Sequence, residues 1–440
     1  MHRAVLQLAL PTIAQSFLHT LFFLVDRAML GQYSTDALAS LRLTSPLIWC
    51  ITGMMAAFSI GSVAVIGRAV GANDRTLATA AARSSLGFAL IIGIATSVVC
   101  LLGLNAMLAL FPDVAPTVAS DAKGFLRVIL LALPFDLAAT TAAAMLQAAG
   151  NSRTPFIVSG LANVVNLGLD WILIYGHWGL PPLGVVGAAI GSATAMMVNA
   201  GVLLFVLTRS RSVLTLLPKT SWALERSTLN RILRVALPTL GDRIGRSVGY
   251  LGFTAIISTL GSIAMATHEA ALGLEAICYL SADGFGIAVA AIVAQRLGAQ
   301  QPEAADRGVW AAMRLAIGLL TLFGLMFLML PVPLLGLFTS DQRILALGVP
   351  CLAIAALAQP FMATSIVLEQ ALRGAGDTRT ALWISLSGWF VVRLIATYSF
   401  VVILGWGLPG VWLGSTCDWM VRSIILVLVL RRGKWGKVTV

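Results

Sequence analysis

Ala149-Gly150-Asn151-Ser152-Arg153-Thr154 occurs a second time, in altered form, as Ala375-Gly376-Asp377-Thr378-Arg379-Thr380. The repeat extends outward from this loop in both directions. The other matching stretches are Ala9-Leu10-Pro11 with Ala236-Leu237-Pro238, Gly71-Ala72 with Gly298-Ala299, and Gly187, Gly191 and Ser192 with Gly410, Gly414 and Ser415. Residues 1–210 and 230–430 are therefore two copies of one unit, an arrangement that is common among membrane bundles.

The composition identifies an integral membrane protein. Of the 440 residues 59% are hydrophobic and 11% are charged, whereas a soluble domain carries about a quarter charged residues. Strand-like alternation is absent and the apolar runs are long, so the spans are helices. Twelve segments are long enough to cross a bilayer: 4–30, 44–70, 77–104, 118–149, 155–176, 184–207, 229–258, 264–296, 304–330, 343–373, 380–404 and 409–430.

The number of spans predicts the architecture. Six spans in each copy is an even number, so the second copy enters the membrane with the orientation of the first. We therefore expect an all-α integral membrane fold, with twelve transmembrane helices in two pseudo-symmetric six-helix lobes. The predicted domains are an N-terminal lobe, 1–207, a polar cytoplasmic linker, 208–228, and a C-terminal lobe, 229–440, that ends in a basic cytoplasmic tail.

The net charge of +11 is a topology signal. Basic residues gather in the loops on one side, whereas the opposite helix ends hold only Arg27, Arg42, Lys123, Arg127 and Arg343. This positive-inside bias predicts that both termini are cytoplasmic. We expect no nucleic-acid partner.

Ionisable residues inside a span are costly and are candidate functional groups. Asp26 lies fifteen residues after Pro11, and Asn166 and Asp170 are spaced to share one helix face. Thr194 follows in a run of small residues that allows close helix packing. Together these side chains form a hard-oxygen set that suits a proton or Na⁺. Alternatively, Asp26 pairs with Arg27 at a helix end and Asp170 only hydrogen-bonds within the core.

Further acidic residues lie in other spans. Glu275 and Asp283 are flanked by apolar sequence and form a second candidate polar site, for a cation or a cationic substrate, with structural hydrogen bonding as the alternative. Asp136 belongs to the first lobe and serves either the site or its own helix. The i, i+4 spacing predicts that Glu369–Arg373 and Asp418–Arg422 neutralise each other, and Asp242, Arg243 and Arg246 predict an internal ion-pair group.

No metal or cofactor is expected, apart from Na⁺ at the coupling site. The five cysteines lie in apolar runs without metal-ligand spacing, which is typical of small core residues. No metal motif, nucleophile elbow or large extramembrane domain is present in the sequence. We therefore do not expect an enzyme.

The chain resembles the multidrug and toxic compound extrusion (MATE) transporters of the MOP flippase superfamily, specifically their DinF-like branch. The resemblance covers nearly the whole chain and depends on the repeated loops, the Pro11–Asp26 spacing, Asn166 with Asp170, and residues 187–194. It implies H⁺- or Na⁺-driven antiport of amphipathic, often cationic compounds by alternating access. It also implies a cation-coupling site at Asp26, Asn166, Asp170 and Thr194, and a helix hinge at Pro11.

The family resemblance also implies a multi-pass protein of the bacterial cytoplasmic (inner) membrane that works as a monomer, with small organic substrates and the bilayer as its partners. Two positions depart from relatives. Phe22 stands where this branch can have tyrosine, and the stretches around Ser247 and Met362 lack the acidic residues of the NorM-like branch. The alternatives are a flippase for lipid-linked saccharides or another lipid-like cargo and, ranked lower, a membrane-embedded enzyme.

Overall fold

The computed structural model describes residues 1–109, 111, 115–209 and 225–438. Its long helices correspond one to one with the twelve predicted spans. We number them α1 to α12 in chain order: His2–Tyr33, Thr35–Gly71, Arg75–Leu102, Pro116–Ala148, Arg153–Tyr175, Gly184–Arg209, Arg226–Ser258, Ser262–Gly298, Pro302–Met329, Gln342–Ala375, Thr378–Ile403 and Gly407–Arg431. Short helices at Leu104–Leu108 and Pro331–Gly336 follow α3 and α9.

All of these helices except α7 contain a window that is apolar enough to cross a membrane. α7 differs because Asp242, Arg243 and Arg246 lie within it, as the sequence had indicated. The predicted twelve-helix fold is thus confirmed. The ends differ most at α2, which begins at Thr35 and so starts earlier than the predicted 44.

The repeated loop forms the same turn in both copies. Gly150 and Gly376 adopt left-handed φ angles of 89° and 88°, a conformation that glycine tolerates without strain. In each copy the next side chain then caps the following helix, because Asn151 Oδ1 accepts from the Thr154 amide at 3.1 Å and Asp377 Oδ1 accepts from the Thr380 amide at 3.4 Å.

A second repeated turn joins α2 to α3 and α8 to α9. Asn73 and Gln300 have φ angles of 56° and 58°. The amides that follow, of Asp74 and Gln301, donate back to the preceding helix at 2.9 and 2.8 Å. Both copies of the repeat therefore form the same turn at this point.

The chain divides into two compact units. One comprises Ala14–Arg234, and the other comprises Met1–Ile13 together with Val235–Val440. In the first unit, α4 packs against α2, α3 and α6; in the second, α10 packs against α8, α9 and α12, which are the corresponding copies. The predicted boundaries 1–207 and 229–440 stay a prediction, and most of the linker 208–228 lies outside the described residues.

Glycines bring neighbouring helices close together. A Cβ on Gly187 of α6 would meet the Leu173 carbonyl of α5 at 2.7 Å, and a Cβ on Gly414 of α12 would overlap Thr397 of α11. Such close approach maximises van der Waals contact, which drives helix association where lipid removes the hydrophobic advantage. The small-residue run of the sixth span therefore does what its composition indicates.

α11 is not a uniform α-helix. Its backbone is α-helical over Thr378–Leu386, π-helical over Ser387–Arg393, α-helical over Leu394–Tyr398 and π-helical over Ser399–Ile403. A π turn inserts an extra residue and often occurs at a functional site. Nothing in the apolar pattern of the sequence had indicated it.

Candidate functional site

Asn166 and Asp170 lie one turn apart on α5 and face the interior of the first unit. The Asn166 Nδ2 donates to Asp170 Oδ2 at 2.7 Å. Asp170 is fully buried and Asn166 nearly so. The predicted common face is confirmed, and the amide holds the carboxylate in one orientation.

Asp26 of α1 reaches the same place. Its half-buried carboxyl lies beside the Asp170 carboxyl, close enough for the two groups to interact. Two carboxylates have no hydrogen-bond donor and repel each other, so a proton or a cation between them is favoured. The structure therefore brings together the two acids that the sequence had singled out.

Each acid also keeps one oxygen available. Asp26 Oδ1 and Asp170 Oδ1 are buried and have no hydrogen-bond partner among the described residues. Buried carboxylate oxygens are normally paired. Two unpaired oxygens on adjacent acids make a place where a proton or a small hard cation is favoured.

Gly191 of α6 packs directly against the Asp170 side chain. A Cβ at this position would overlap Asp170 Oδ1 and would lie 3.3 Å from the Asn166 Nδ2. The absence of a side chain at Gly191 thus leaves the space that the carboxylate occupies. The sequence had marked this residue as part of the repeat and of the small-residue run, but not as a neighbour of Asp170.

Thr194 lies three residues further along α6 and is half-buried. Its hydroxyl donates to the Ile190 carbonyl at 2.8 Å, a bond within its own helix. No hydrogen bond joins it to Asp26 or Asp170 in the described part of the chain. The place of Thr194 in the predicted coupling site therefore stays a prediction.

The alternative role of Asp26, an ion pair with Arg27, receives no support. Arg27 Nη2 donates to Ser45 Oγ at 3.2 Å, and its guanidinium lies 4.5 Å from the centre of the Phe23 ring. The ion pairs found between described residues do not include Asp26 with Arg27. Arg27 is thus engaged elsewhere and leaves the Asp26 charge uncompensated from that side.

His19 is a residue that sequence reasoning missed. It lies seven residues before Asp26 on α1 and is exposed, and its charge is close enough to interact with both Asp26 and Asp136 of α4. The i, i+7 spacing would have placed His19 on the Asp26 face. Asp136 is thereby placed near the site, while its own role stays untested.

α1 is joined to α5 eleven residues before each acid. Gln15 Nε2 donates to Ser159 Oγ at 2.8 Å. This hydrogen bond links the two helices that carry Asp26 and Asp170 at one level of the first unit. Three carboxyl groups and one imidazole thus share a small region, and a cation that enters it lowers their mutual repulsion.

The second candidate site looks different. Glu275 and Asp283 are eight residues apart on α8, about 12 Å along the axis, and each has its own neighbours. Asp283 Oδ1 accepts from Gln370 Nε2 at 3.0 Å. Glu275 lies near Arg393 and Asp283 lies near Arg243, close enough for the charges to interact.

Those arginines come from α11 and α7, so local sequence could not pair them with α8. Neighbouring positive charge opposes the binding of a cation. A cation site at Glu275 and Asp283 therefore has less structural support than the site at Asp26 and Asp170, and it stays a prediction.

The predicted ion pairs of the second unit are confirmed. Glu369 pairs with Arg373, Asp418 with Arg422, and Asp242 with Arg246. Two further contacts between α7 and α10, Arg246–Glu369 and Arg373–Asp242, join the first and third pairs into one network. This network balances two arginines with two carboxylates.

Comparison with known proteins identifies the family of the chain. The family model described as MatE matches residues 11–172 and 238–399, once in each copy of the repeat. The chain is 30% identical over 439 residues to the probable multidrug resistance protein NorM of Thermotoga maritima, which covers 99% of this chain and 93% of that protein. It is 23% identical to the uncharacterized transporter YisQ of Bacillus subtilis over 93% of this chain and 90% of that one.

The fold is also that of a solved structure, described as the outward-facing conformation of a multidrug resistance MATE family transporter of the MOP superfamily. The TM-score is 0.92 at 21% identity, and the match covers 100% of this chain and 97% of the other. The predicted resemblance to the MATE transporters is confirmed by the family model and by the 30% identical relative, while the DinF-like branch stays a prediction. With both copies of the repeat matched and a relative 30% identical along almost its whole length, the chain belongs to the MatE family, whose members are transporters and not enzymes.

Proposed function

We propose that the chain is a cation-coupled antiporter, driven by H⁺ or Na⁺, that exports amphipathic, often cationic organic compounds by alternating access. Asp26, Asn166, Asp170 and Thr194 form its coupling site. The name of the Thermotoga maritima relative, a probable multidrug resistance protein, supports this class of substrate.

The contact between the Asp26 and Asp170 carboxyls carries the proposal. With a proton or Na⁺ present the two groups attract each other across it; without one they are two negative charges in a site with little water, and they repel. The loaded and unloaded forms therefore favour different separations of α1 and α5. A conformational equilibrium shifts when the two states bind the cation with different affinity.

Pro11 provides the place where α1 bends. Proline lacks the amide hydrogen and its ring crowds the carbonyl of residue 7, so the helix is weakened there. Asp26 lies four turns further along the same helix. A change in the force on Asp26 is thus converted into a movement of α1 about Pro11, and Asp170 stays fixed by Asn166 and Gly191.

The driving force is sufficient for useful export. Moving one charge across the membrane releases about 2.3 kcal/mol per 100 mV. This free energy supports an accumulation ratio of about fiftyfold when one cation exchanges for one uncharged substrate molecule. For a cationic substrate the exchange is electroneutral, and the concentration gradient of the coupling ion supplies the driving force.

The proposal also covers the membrane location, the oligomeric state and the family branch of the chain. We assign the chain to the bacterial inner membrane with both termini cytoplasmic, acting as a monomer, and to the DinF-like branch. The basic loops support the orientation. The acidic pair in the first unit supports the branch, because the positions around Ser247 and Met362 in the second unit carry no carboxylate.

The test is uptake of a fluorescent lipophilic cation by everted membrane vesicles. Two gradients are imposed separately on the same vesicles. One is a pH gradient with the acidic side in the lumen, and the other is a Na⁺ gradient with the higher concentration in the lumen. Accumulation with one gradient identifies the coupling ion. No accumulation above empty-vector vesicles with either gradient contradicts the proposed function.

The residues are tested in the same vesicles with Asp26→Asn and Asp170→Asn. Both variants keep the shape of the side chain and remove its charge, so we expect gradient-driven accumulation to be lost. The matched control is Glu303→Gln, whose side chain is 91% exposed. Accumulation at the wild-type level in Asp26→Asn excludes this coupling site.

A further inference from the structure

A buried group of side chains in the second unit contains two arginines that both contact a single carboxylate. Arg393 Nε donates to Asp418 Oδ2 at 2.8 Å, and Arg422 donates through Nε and Nη2 to both Asp418 oxygens at 2.6 Å. Arg393 is 6% exposed, Arg422 1% and Asp418 0%. Two guanidinium groups thus share one carboxylate, and an unbalanced charge in such a place is costly.

Several N–H groups beside this pair are unused. Arg393 Nη2, Arg422 Nη1 and the indole Nε1 atoms of Trp389 and Trp412 are buried without a hydrogen-bond partner in the described ranges. Buried donors in native proteins are almost always paired. Four unpaired donors in one region indicate an acceptor that the side chains themselves do not supply.

Aromatic rings enclose the region. The Arg393 guanidinium carbon lies 4.1 Å from the ring centre of Trp389 and 5.6 Å from that of Phe253. His268 closes the other side, with ring centres 5.9 Å from Phe253 and 5.5 Å from Trp412. We call Phe253, His268, Trp389, Arg393, Trp412, Asp418 and Arg422 the Arg393 cluster.

The backbone is adapted to this cluster. Arg393 and Trp389 lie on the π-helical segment Ser387–Arg393 of α11, a conformation that gives up regular α-helical bonding. Gly388, in the same segment, leaves the space that Asp418 and Arg422 occupy, because a Cβ there would lie 2.7 Å from Arg422 Cγ. The π-helical backbone and Gly388 thus both accommodate the side chains of this cluster.

The internal repeat connects this cluster with the cation site. Phe253 and Thr397 follow Pro238 at the distances at which Asp26 and Asp170 follow Pro11, and Arg393 corresponds in the same way to Asn166. The contacts agree, since a Cβ on Gly191 would overlap Asp170 and one on Gly414, its repeat partner, would overlap Thr397. The second unit therefore has an arginine where the first unit has the amide of its acidic site.

We propose that the Arg393 cluster binds one small monovalent anion of halide size, chloride being the abundant choice. Its two contacting arginines and one carboxylate sum to a net charge of +1. Its unpaired groups are N–H donors, which suit an acceptor anion. An enclosed site of this charge excludes a phosphate group, which is larger and carries more charge. The anion ties α7, α8, α11 and α12 of the second unit together.

Glu275 is the natural competitor. It lies near Arg393, yet no ion pair joins the two in the described part of the chain. A halide in the cluster takes the contact that the carboxylate would otherwise make with the free Arg393 Nη2. Removal of the Glu275 charge therefore strengthens anion binding.

The test is thermal unfolding of the purified full chain in detergent, with chloride or bromide titrated against gluconate at constant ionic strength. We expect a saturable rise of the unfolding temperature with halide, since a ligand that binds the folded state stabilises it. Arg393→Gln and the double variant Trp389→Phe/Trp412→Phe should weaken the halide affinity about tenfold or more. The double variant retains all charges and an aromatic ring at each position, so it serves if Arg393→Gln does not fold.

The control for general charge effects is Arg343→Gln, since Arg343 is 72% exposed and pairs with Asp341 at 2.8 Å. It should bind halide as the wild type does. The proposal is overturned if the unfolding temperature is the same in chloride and in gluconate. It is also overturned if Arg343→Gln loses as much halide affinity as Arg393→Gln. A crystal grown in bromide should show an anomalous peak beside Arg393 Nη2, and a water molecule there overturns it too.

This inference is independent of the proposed cation coupling. Purified Asp26→Asn should keep the full halide stabilisation although its coupled transport is lost. If transport is uncoupled in the wild type while halide stabilises it, the proposed function alone fails. If halide has no effect while coupling is intact, the anion site alone fails.

Discussion

At the scale of single residues, the Asp170 carboxylate is defined by three neighbours that each do something different. Asn166 orients it through one hydrogen bond, Asp26 supplies a second carboxyl, and Gly191 leaves room for it. The position of the carboxylate thus depends as much on the missing side chain at Gly191 as on its hydrogen-bond partner. A site of this kind is sensitive to small displacements.

Gly191→Ala tests this dependence. The added methyl group would overlap Asp170 Oδ1, so the carboxylate must leave its present position beside Asp26. We expect gradient-driven transport to fall about tenfold or more, while the protein still inserts into the membrane. The measurement is dye accumulation in everted vesicles, normalised to the amount of transporter.

Gly201→Ala is the matched control, because it lies on the same helix and a Cβ there would meet nothing within 4 Å. It should transport at the wild-type rate. If both variants transport equally well, Asp170 does not need the position that the structure gives it.

At the scale of secondary structure, the sequence predicted the helices and their repeated turns well, because both depend on local pattern. Twelve apolar runs gave twelve helices, and Gly150 and Gly376 marked the same left-handed turn. It did not predict the π segments of α11 or the approach of Arg393 to Glu275. These depend on side chains from helices that are distant in sequence, which no local periodicity reports.

The π segment of α11 also explains a detail of the repeat. The loop that begins at Ala375 is one residue out of step with the Pro11–Pro238 pairing. The extra residue of a π turn restores the register, so that Arg393 and Thr397 correspond to Asn166 and Asp170. The insertion therefore preserves the geometry of the site in the second copy.

The repeated turn makes a stability prediction at this scale. Asp377→Ala removes the cap of α11 and Asn151→Ala removes the corresponding cap of α5. Each should lower the free energy of unfolding by about 1 kcal/mol, the usual loss for a helix N-cap. The measurement is equilibrium unfolding in detergent micelles, with the exposed neighbour Arg379→Ala as the control. A loss in one copy of the repeat alone contradicts the equivalence of the two turns.

At the scale of the whole molecule, duplication has produced two units with one backbone plan and different charge. The first unit gathers Asp26, Asp136 and Asp170 around His19, whereas the second neutralises its acids with arginines. A cation exchanger needs a site whose charge changes, and a scaffold needs charges that stay paired. The distribution of arginines therefore supports the proposal that cation exchange takes place in the first unit and that the second unit has a scaffold role.

Glu275→Gln tests this division. Glu275 lies near Arg393 in the second unit, whose positive charge opposes the binding of a cation, so Glu275 should not be part of the exchange. We expect the variant to keep the wild-type gradient-driven accumulation, while Asp170→Asn in parallel vesicles loses it. The purified variant should bind halide more tightly, because the competing carboxylate is gone. If Glu275→Gln loses accumulation as completely as Asp170→Asn, coupling extends into the second unit and the division of roles is wrong.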